Sequence, residues 1–218
     1  MPGLSADVIT ALSSAQVVAL TPEAIGAMSS AQIAALDSYD VAAMSAEQFA
    51  AISTAGIAGL EASDIQALAQ TPSATDRIAA LTAEQMPKMS GTTLAALSTT
   101  QIPALTSDAV AALSSAQLNS LTPTQLGHMT FEQFAALSSA AVASLDATDI
   151  DALDASNTGQ IAAITAEQIA KLSTDAIASF NSTQISALTT EAFAALSSAQ
   201  LAAIDVGALP GLQPSKLH

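Results

Sequence analysis

Large apolar residues recur along the chain in a pattern that repeats every eight positions. Leu, Met, Ile or Phe occupies the first position of each repeat, and a second large apolar residue follows at the sixth. Clear copies begin at Leu12, Leu97 and Leu196 and follow the pattern Leu-(Ser/Thr)-x-x-Gln-(Ile/Val)-x-Ala closely. A fixed short period predicts a solenoid in which each unit packs mainly on its neighbours. The first and sixth positions are predicted to form its core.

The eight-residue step restricts the secondary structure of each unit. One long helix is excluded, because each step would rotate the apolar stripe by about 80° around the helix axis. In a continuous strand the first and sixth positions would point to opposite faces, and Ala and Gln are poor strand formers. We therefore predict an all-α solenoid of short N-capped helices, one per repeat, with a β-helix as the weaker alternative.

The second and fifth positions carry the signals that begin a helix. Ser, Thr or Asp at the second position and frequent Gln at the fifth form a capping box. Pro22 and Pro123 at the third position suit a first helical turn, whereas Pro87 and Pro103 at the seventh require the helix to end. Of the 19 acidic residues, all except Asp151 occupy the second, fourth or fifth position, where the helix dipole favours negative charge.

We count about 25 repeats and predict one continuous array over residues 1–212. Two insertions, near residues 69–77 and 154–159, interrupt the spacing and are expected to form surface loops. In the second, Asn157 is the expected helix cap with Gln160 three residues later. Residues 213–218 are expected to be a C-terminal tail, with a cloning remnant as one possible origin. The spacing of bulky residues does not decide between two and three repeats per turn of the solenoid.

Composition narrows the classes of function. The 218 residues include 4 Lys or Arg and 19 Asp or Glu, a formal net charge of -15, which disfavours nucleic acids and anionic membranes as partners. The chain has no cysteine, which excludes disulfides and thiolate metal sites. No apolar run approaches the roughly 18 residues of a membrane span, so we predict no membrane insertion. The first residues, Met1 to Leu4, lack the basic and apolar segments of a signal peptide.

Candidate catalytic chemistry is sparse, and we predict no enzyme, no cofactor and no catalytic or metal-binding residues. His128, the only internal histidine, is interpreted as a corner residue and not as a general base. The Ser and Thr residues are explained by capping, and none lies in a nucleophile motif such as Gly-x-Ser-x-Gly. His128 and Met129 together make a poor pair of axial ligands for haem.

The densest acidic stretch contains Asp146, Asp149, Asp151 and Asp154, with Asn157 nearby. Its spacing does not match the Asp-x-(Asp/Asn)-x-(Asp/Asn)-Gly pattern of a calcium loop. Three of the carboxylates also occupy cap or first-turn positions, which explains them structurally. Calcium binding is therefore the less favoured interpretation of this stretch.

The pattern Leu-Thr-x-x-Gln-(Ile/Val)-x-Ala-Leu is especially clear at Leu81–Met86 and Ile164–Leu172. It resembles tandem arrays in very large bacterial secreted or surface proteins, which are often described as adhesin-like or haem-utilisation-like. The resemblance covers almost the whole chain but rests on a short structural motif and supplies no site residues. It implies an extracellular or cell-surface location and a filamentous or stalk role.

Two hypotheses of function follow. The first is a non-enzymatic structural spacer that extends or displays other domains of a bacterial surface or secreted protein. The alternative is a protein-binding scaffold that uses the outward third, fourth and seventh positions, or a surface for self-association. These positions hold mostly Ala, Ser and Thr, without the Trp, Tyr and Arg that usually anchor binding sites. The composition therefore favours the spacer.

Overall fold

The chain forms short helices joined by tight corners, as seen in a computed structural model that describes residues 5–153 and 158–205. These residues contain no strand, so the all-α solenoid is confirmed and the β-helix is excluded. Their α-helices are Ala6–Thr10 (α1), Ser14–Val18 (α2), Pro22–Gly26 (α3), Ser30–Ile33 (α4), Ser38–Ala43 (α5), Ala46–Ala50 (α6), Ala62–Ala69 (α7), Ala74–Ala79 (α8), Gly91–Ala95 (α9), Ser107–Ala111 (α10), Ser115–Leu118 (α11), Pro123–Gly127 (α12), Phe131–Ala136 (α13), Ser139–Val142 (α14), Ala147–Ala152 (α15), Thr158–Ala163 (α16), Ala166–Ile169 (α17), Thr174–Ala178 (α18), Ser182–Ala187 (α19), Thr190–Ala194 (α20) and Ser198–Ala203 (α21). Three-residue 3₁₀ turns replace the α-helix at Ile57–Gly59, Met86–Lys88 and Ile102–Ala104.

The helices begin at the second position of the repeat, as the capping pattern predicts. At the start of α2, the Ser13 side chain accepts the N–H of Gln16, and Gln16 Oε1 accepts the N–H of Ser13 at 2.9 Å. The same reciprocal pair of side chains opens α4, α6, α11, α12, α13, α17, α19 and α21. Each pair satisfies backbone N–H groups that the first helical turn leaves without a partner.

Each helix ends quickly because a tight turn follows its sixth-position residue. The N–H of Leu20 donates to the carbonyl of Val17, and that of Leu145 to Val142, both at 3.1 Å. Pro87 and Pro103 lie inside 3₁₀ turns, so a proline at the seventh position shortens the helical segment further. This follows from the missing N–H of proline, which cannot extend an α-helical ladder.

The helices stack on the third helix before them. The chain divides into two compact units, one ending at Ala112 and the other beginning at Leu113. In the first, α4 packs on α1, α5 on α2 and α6 on α3; in the second, α17 packs on α14, α18 on α15 and α21 on α18. Three eight-residue repeats therefore make one turn of each solenoid, which is termed a coil below. This answers the question of two or three repeats that the sequence left open. The single array predicted over residues 1–212 stays a prediction.

The core of each unit is made of the first and sixth positions, as predicted. Phe49 and Phe134 are fully buried at the sixth position, and Leu68 and Leu153 at the first. Exceptions lie in the first and last coils that the structure describes: Leu12, Leu20 and Phe193 are half-buried and Leu201 is exposed. Within the described part of the chain, no helix has the length and apolar character needed to cross a membrane.

The first insertion differs from the surface loop that was expected. Residues 70–73 form a turn, but the chain then re-enters a helix, α8, in which Ala74, Arg77 and Ile78 are buried. The insertion thus lengthens the spacing to the next repeat, but the helix of that repeat still packs into the core. In the second insertion, residues 154–157, including the expected cap Asn157, lie outside the described residues, as does the tail at 213–218.

Glycine at the seventh position marks where two coils approach closely. A Cβ atom at Gly26 would lie 2.9 Å from the carbonyl oxygen of Ala51, and one at Gly127 would lie 2.8 Å from that of Ala152. Real side chains do not approach backbone oxygens this closely, so glycine is required at these two positions for a packing reason.

Candidate functional site: the inter-coil side chains

The fifth position of the repeat supplies polar side chains that are buried between coils. Gln48, Gln133, Gln168 and Gln184 are almost fully buried, although each is an uncharged polar residue on a short helix. Their Oε1 atoms accept the backbone N–H of their own helix cap; for Gln48, the donor is Ser45 at 2.9 Å. One end of the amide is therefore used within the repeat, as the sequence predicts.

The other end of the same amide reaches the preceding coil. Gln48 Nε2 donates to the carbonyls of Val17 at 3.1 Å and Leu20 at 2.7 Å. These oxygens belong to the corner between α2 and α3. The Val17 oxygen also accepts the N–H of Leu20 within the corner, whereas Leu20 precedes the cap of α3 and lies outside both helices. The same arrangement is formed by Gln85 with Ile52, Gln160 with Leu126 and Met129, Gln168 with Phe134 and Leu137, Gln184 with Ile150 and Leu153, and Gln200 with Ile169 and Leu172.

A glutamine of this kind caps two helical segments at once. Gln48, for example, accepts at the N-terminus of its own helix and donates at the C-terminus of a helix one coil earlier. Gln160 makes only the second contact, because its Oε1 atom has no hydrogen-bond partner. Only an amide side chain offers a strong acceptor and two donors without a charge. Because an unpaired buried carbonyl is costly, these side chains specify which corner each helix packs on. They are termed inter-coil side chains here.

Two other residue types take the same position. Thr93 Oγ1 donates to the carbonyl of Leu60 at 2.9 Å. Arg77 Nε donates to the carbonyl of Met44, and Arg77 Nη1 donates to Thr71 Oγ1 at 2.9 Å. Burial lowers the pKa of the Arg77 guanidinium, and the Asp76 carboxylate opposes this shift. The common property of Gln, Thr and Arg here is an N–H or O–H donor.

Three aspartates also occupy the fifth position. Asp40 is buried and accepts a hydrogen bond from the Ser14 hydroxyl at 2.7 Å. Asp64 is buried and accepts the N–H of Glu61 at 2.8 Å, and the half-buried Asp149 accepts the N–H of Asp146 at 3.1 Å. Burial raises the pKa of Asp64 to about 6, and it also raises the pKa of Asp149. An ionised carboxylate has no proton to donate, so these sites differ chemically from the glutamine sites.

Gln101 shows what the first insertion changes. Its side chain is fully buried, yet its Nε2 atom has no hydrogen-bond partner. The corner that it would reach is interrupted after Leu68, where Thr71 N and Thr71 Oγ1 donate to the Leu68 carbonyl at 2.9 and 2.8 Å. The turn of the insertion thus uses an oxygen that the regular corner would offer to the next coil.

The residues considered for chemistry in the sequence are not brought into one site. His128 is the C-terminal cap of α12, is exposed, and has Nδ1 2.8 Å from the carbonyl of Thr124. This confirms its interpretation as a corner residue. Met129 is a buried core residue, so the two side chains have different environments.

The acidic stretch is partly described. Asp146 caps α15 by accepting the N–H groups of Thr148 and Asp149, and Asp151 is exposed. Asp154 and Asn157 lie outside the described residues. Within residues 5–153 and 158–205, no group of three or more His, Cys, Asp or Glu side chains is arranged to hold a metal ion.

The inter-coil role of glutamine was missed in the sequence, although a signal for it exists. Glu serves a capping box as well as Gln does, yet the fifth position holds 12 Gln and no Glu. Six of the seven Glu residues lie at the adjacent fourth position, and the remaining one, Glu61, lies at the second. This preference for Gln over Glu indicates that a side chain able both to donate and to accept is favoured at the fifth position, although three Asp and five Ala residues also occupy it.

A groove between α5 and α7 is the other notable surface of the first unit. It has a volume of about 590 Å³ and is lined by Tyr39, Ala42, Gln66, Ala67 and neighbouring polar residues. Tyr39, the only tyrosine of the chain, is 77% exposed beside it.

A family model described as the ALTTAQ repeat matches the chain over residues 9–46, 33–70, 78–115, 95–131 and 157–190. These segments together include more than half of the 218 residues. The chain belongs to the ALTTAQ repeat family. Read as residues, the name corresponds to the eighth position and the five that follow, as in Ala195 to Gln200, and so ends on the inter-coil glutamine. No curated protein matches the chain.

Proposed function

We propose that this ALTTAQ repeat array is a non-enzymatic spacer that extends or displays other domains of a bacterial surface or secreted protein. One observation carries the proposal: the side chains that define the repeat are used inside the fold. Second-position groups cap helices, first- and sixth-position groups fill the core, and fifth-position amides join successive coils. Because repeats interact mainly with their neighbours, such an array can be lengthened or shortened coil by coil.

The outward surface supports the same proposal. Glu23 and Glu47 are exposed at the first turns of α3 and α6, where they stabilise helices without forming a pocket. The net charge of -15 favours solubility and opposes close lateral association of copies. The bacterial surface context rests on the resemblance of the sequence to adhesin-like arrays.

A protein-binding scaffold is the second candidate, and the groove beside Tyr39 favours it. A single exposed tyrosine next to a partly apolar groove resembles the anchor of a binding site more than the Ala, Ser and Thr found elsewhere do. If the chain acts as a scaffold, function depends on this surface; if it acts as a spacer, function depends on length.

The spacer is tested by deleting Leu172–Ala195, which is one whole coil containing α18, α19 and α20. In the shortened chain, α21 takes the place of α18 on α15. Spin labels at Ala116→Cys and Ala199→Cys, both exposed in a chain without native cysteine, report the change in length. We expect the distance between the labels to fall by about 8–10 Å, the spacing of packed helices.

The control deletes Leu172–Asp175, half a repeat, which removes a core residue and a cap together and is expected to reduce the helical circular dichroism signal. An unchanged label distance after the whole-coil deletion would overturn the spacer. In cells that display the chain, loss of attachment after Tyr39→Ala at constant length would favour the scaffold instead.

A further inference from the structure

The aspartates at the fifth position differ from all other inter-coil residues in one respect. Gln, Thr and Arg side chains carry a donor at every physiological pH, whereas an aspartate carries one only when it is protonated. Asp64 is the clearest case, because it is 4% exposed and the hydrogen bond to its carboxyl group comes from the backbone of its own repeat, at Glu61.

The register of the coils allows us to infer which carbonyl lies opposite Asp64. Gln48 donates to Leu20 and Gln200 donates to Leu172, in each case 28 residues earlier and without an intervening insertion. The residue 28 positions before Asp64 is Leu36, at the corner that precedes α5. Helix α7, which carries Asp64, packs directly on α5. A short side chain suffices for this bond, since Thr93 reaches Leu60 from the same position.

The charges around Asp64 agree with this placement. The charged groups that shift the pKa of its carboxyl group are Glu61 of its own repeat and Asp37, which directly follows Leu36. Helix α5 also carries Asp40, whose carboxylate accepts from Ser14, and the exposed Tyr39. Helix α9, which packs on the other side of α7, carries no titratable residue between Ser90 and Ala95. Arg77 donates to Met44 and Thr71.

We propose that Asp64 is a proton-operated joint between two coils of the first unit: its protonated carboxyl group donates to the Leu36 carbonyl, as glutamine does elsewhere, and its ionised form leaves that bond unmade. The contact between the two coils is therefore more stable in acid and less stable as the pH rises. This adds a response to pH that a purely static spacer does not have.

The direction follows from linkage. The pKa of Asp64 is raised from 3.8 to about 6, chiefly because the carboxyl group is buried; the Glu61 N–H opposes this shift, and the Glu61 and Asp37 carboxylates contribute to it. Because the folded chain holds this proton more tightly than the unfolded chain, the added stability is complete below about pH 3.8 and is lost as the pH rises through about 6. Between pH 5 and pH 8 this single group changes the unfolding equilibrium constant about tenfold.

Asp149 repeats the arrangement in the second unit. The residue 28 positions before it is Leu121, and both residues line one cleft of about 340 Å³. Burial raises the pKa of Asp149 as well, with the Asp146 N–H opposing and the Asp146 carboxylate adding to the shift. Since Asp149 is only half-buried, we expect its effect to be smaller than that of Asp64.

The test compares Asp64→Asn, which keeps a donor at every pH, with Asp108→Asn, which removes one exposed first-turn charge from α10. Urea unfolding is followed by circular dichroism at pH 5 and pH 8. We expect the parent chain and Asp108→Asn to share the roughly tenfold contribution of Asp64 to the pH dependence, and Asp64→Asn to lack it. An undiminished pH dependence in Asp64→Asn would overturn the proposal.

A spectroscopic measurement on the unsubstituted chain keeps the proposal falsifiable if a variant fails to fold. We expect the side-chain carboxyl ¹³C resonance of Asp64 to titrate near pH 6, and the backbone carbonyl ¹³C resonance of Leu36 to move with the same midpoint. An Asp64 midpoint near pH 4 overturns the joint. So does titration of Asp64 near pH 6 without a matching change at Leu36, because the acid would then be buried but not bonded to the preceding coil.

Discussion

Gln168 and Arg77 both bind a corner carbonyl of the preceding coil, but they do so with different side-chain groups. In the second unit, Gln168 is buried without a charge and bonds both to its own cap, Thr165, and to the corner at Leu137. In the first unit, the insertion places Arg77 at this position, and its guanidinium bonds to Met44 and to Thr71 of the insertion itself. Both residues present a donor to a corner carbonyl of the preceding coil.

The difference shows that the two roles of the fifth position, capping and donation to the preceding coil, can be separated. Arg77 has no acceptor atom for a backbone N–H group, and Ser73 at the start of α8 forms no side-chain cap hydrogen bond. The fold tolerates the loss of the cap but keeps the donor towards the preceding coil. The opposite holds at Asp64 and Asp149, which accept the N–H groups of Glu61 and Asp146 but have no proton to donate when ionised. Alanine also occupies the fifth position, as at Ala109 and Ala141, so a donor towards the preceding coil is frequent there but not obligatory.

The largest effect is expected when the donor of Gln168 is replaced by a charged acceptor. Gln168→Glu keeps the capping oxygen but places an unpaired carboxylate against the Leu137 carbonyl, so we expect a loss of about 3–5 kcal/mol in the free energy of unfolding at pH 8. Gln168→Ala should cost only about 1–3 kcal/mol. Urea unfolding of both variants gives the comparison. Equal losses would mean that the donor has no special importance.

The sequence predicts the local parts of this structure well. Ser13 and Gln16 form a capping box within four consecutive residues, and Phe49 or Phe134 recur at the buried sixth position, so short-range pattern suffices for helices and core. The number of repeats per coil could not be read in this way, because each repeat looks alike whether its partner is two or three repeats away. The inter-coil bond of Gln48 joins residues 28 to 31 apart, beyond any local motif.

The insertion illustrates a second reason why prediction failed. Thr71, Pro72 and Ser73 are typical of a turn, and an arginine in such a segment is usually exposed. Arg77 is instead buried, and it directly precedes the core residue Ile78. The spacing backwards from Leu81 contains this information, because Arg77 and Ile78 stand where Gln and Ile stand in a regular repeat.

A smaller effect is expected when Arg77 is replaced. Arg77→Ala removes the donors to Met44 and Thr71 together, and we expect a loss of about 1.5–3 kcal/mol in the free energy of unfolding. Arg77→Gln restores the common donor of the repeat and should recover most of that loss. Thermal unfolding of both variants distinguishes a specific donor from simple loss of side-chain volume. If glutamine is no better than alanine, Arg77 acts by packing alone.

The smallest effect is expected at Thr93, where the donor is a single hydroxyl group. Thr93→Val keeps the shape of the side chain and removes the bond to Leu60, so we expect a loss of about 1 kcal/mol in the free energy of unfolding. Thr93→Ser keeps the hydroxyl group and removes only a methyl group from a residue that is 1% exposed. If donation is the property that the fifth position requires, serine preserves the Leu60 carbonyl resonance in a ¹³C spectrum and valine shifts it. If valine preserved the resonance and serine shifted it, side-chain volume and not the hydroxyl donor would stabilise the contact between these two coils. Donation to the preceding coil would then be limited to the glutamine sites such as Gln168.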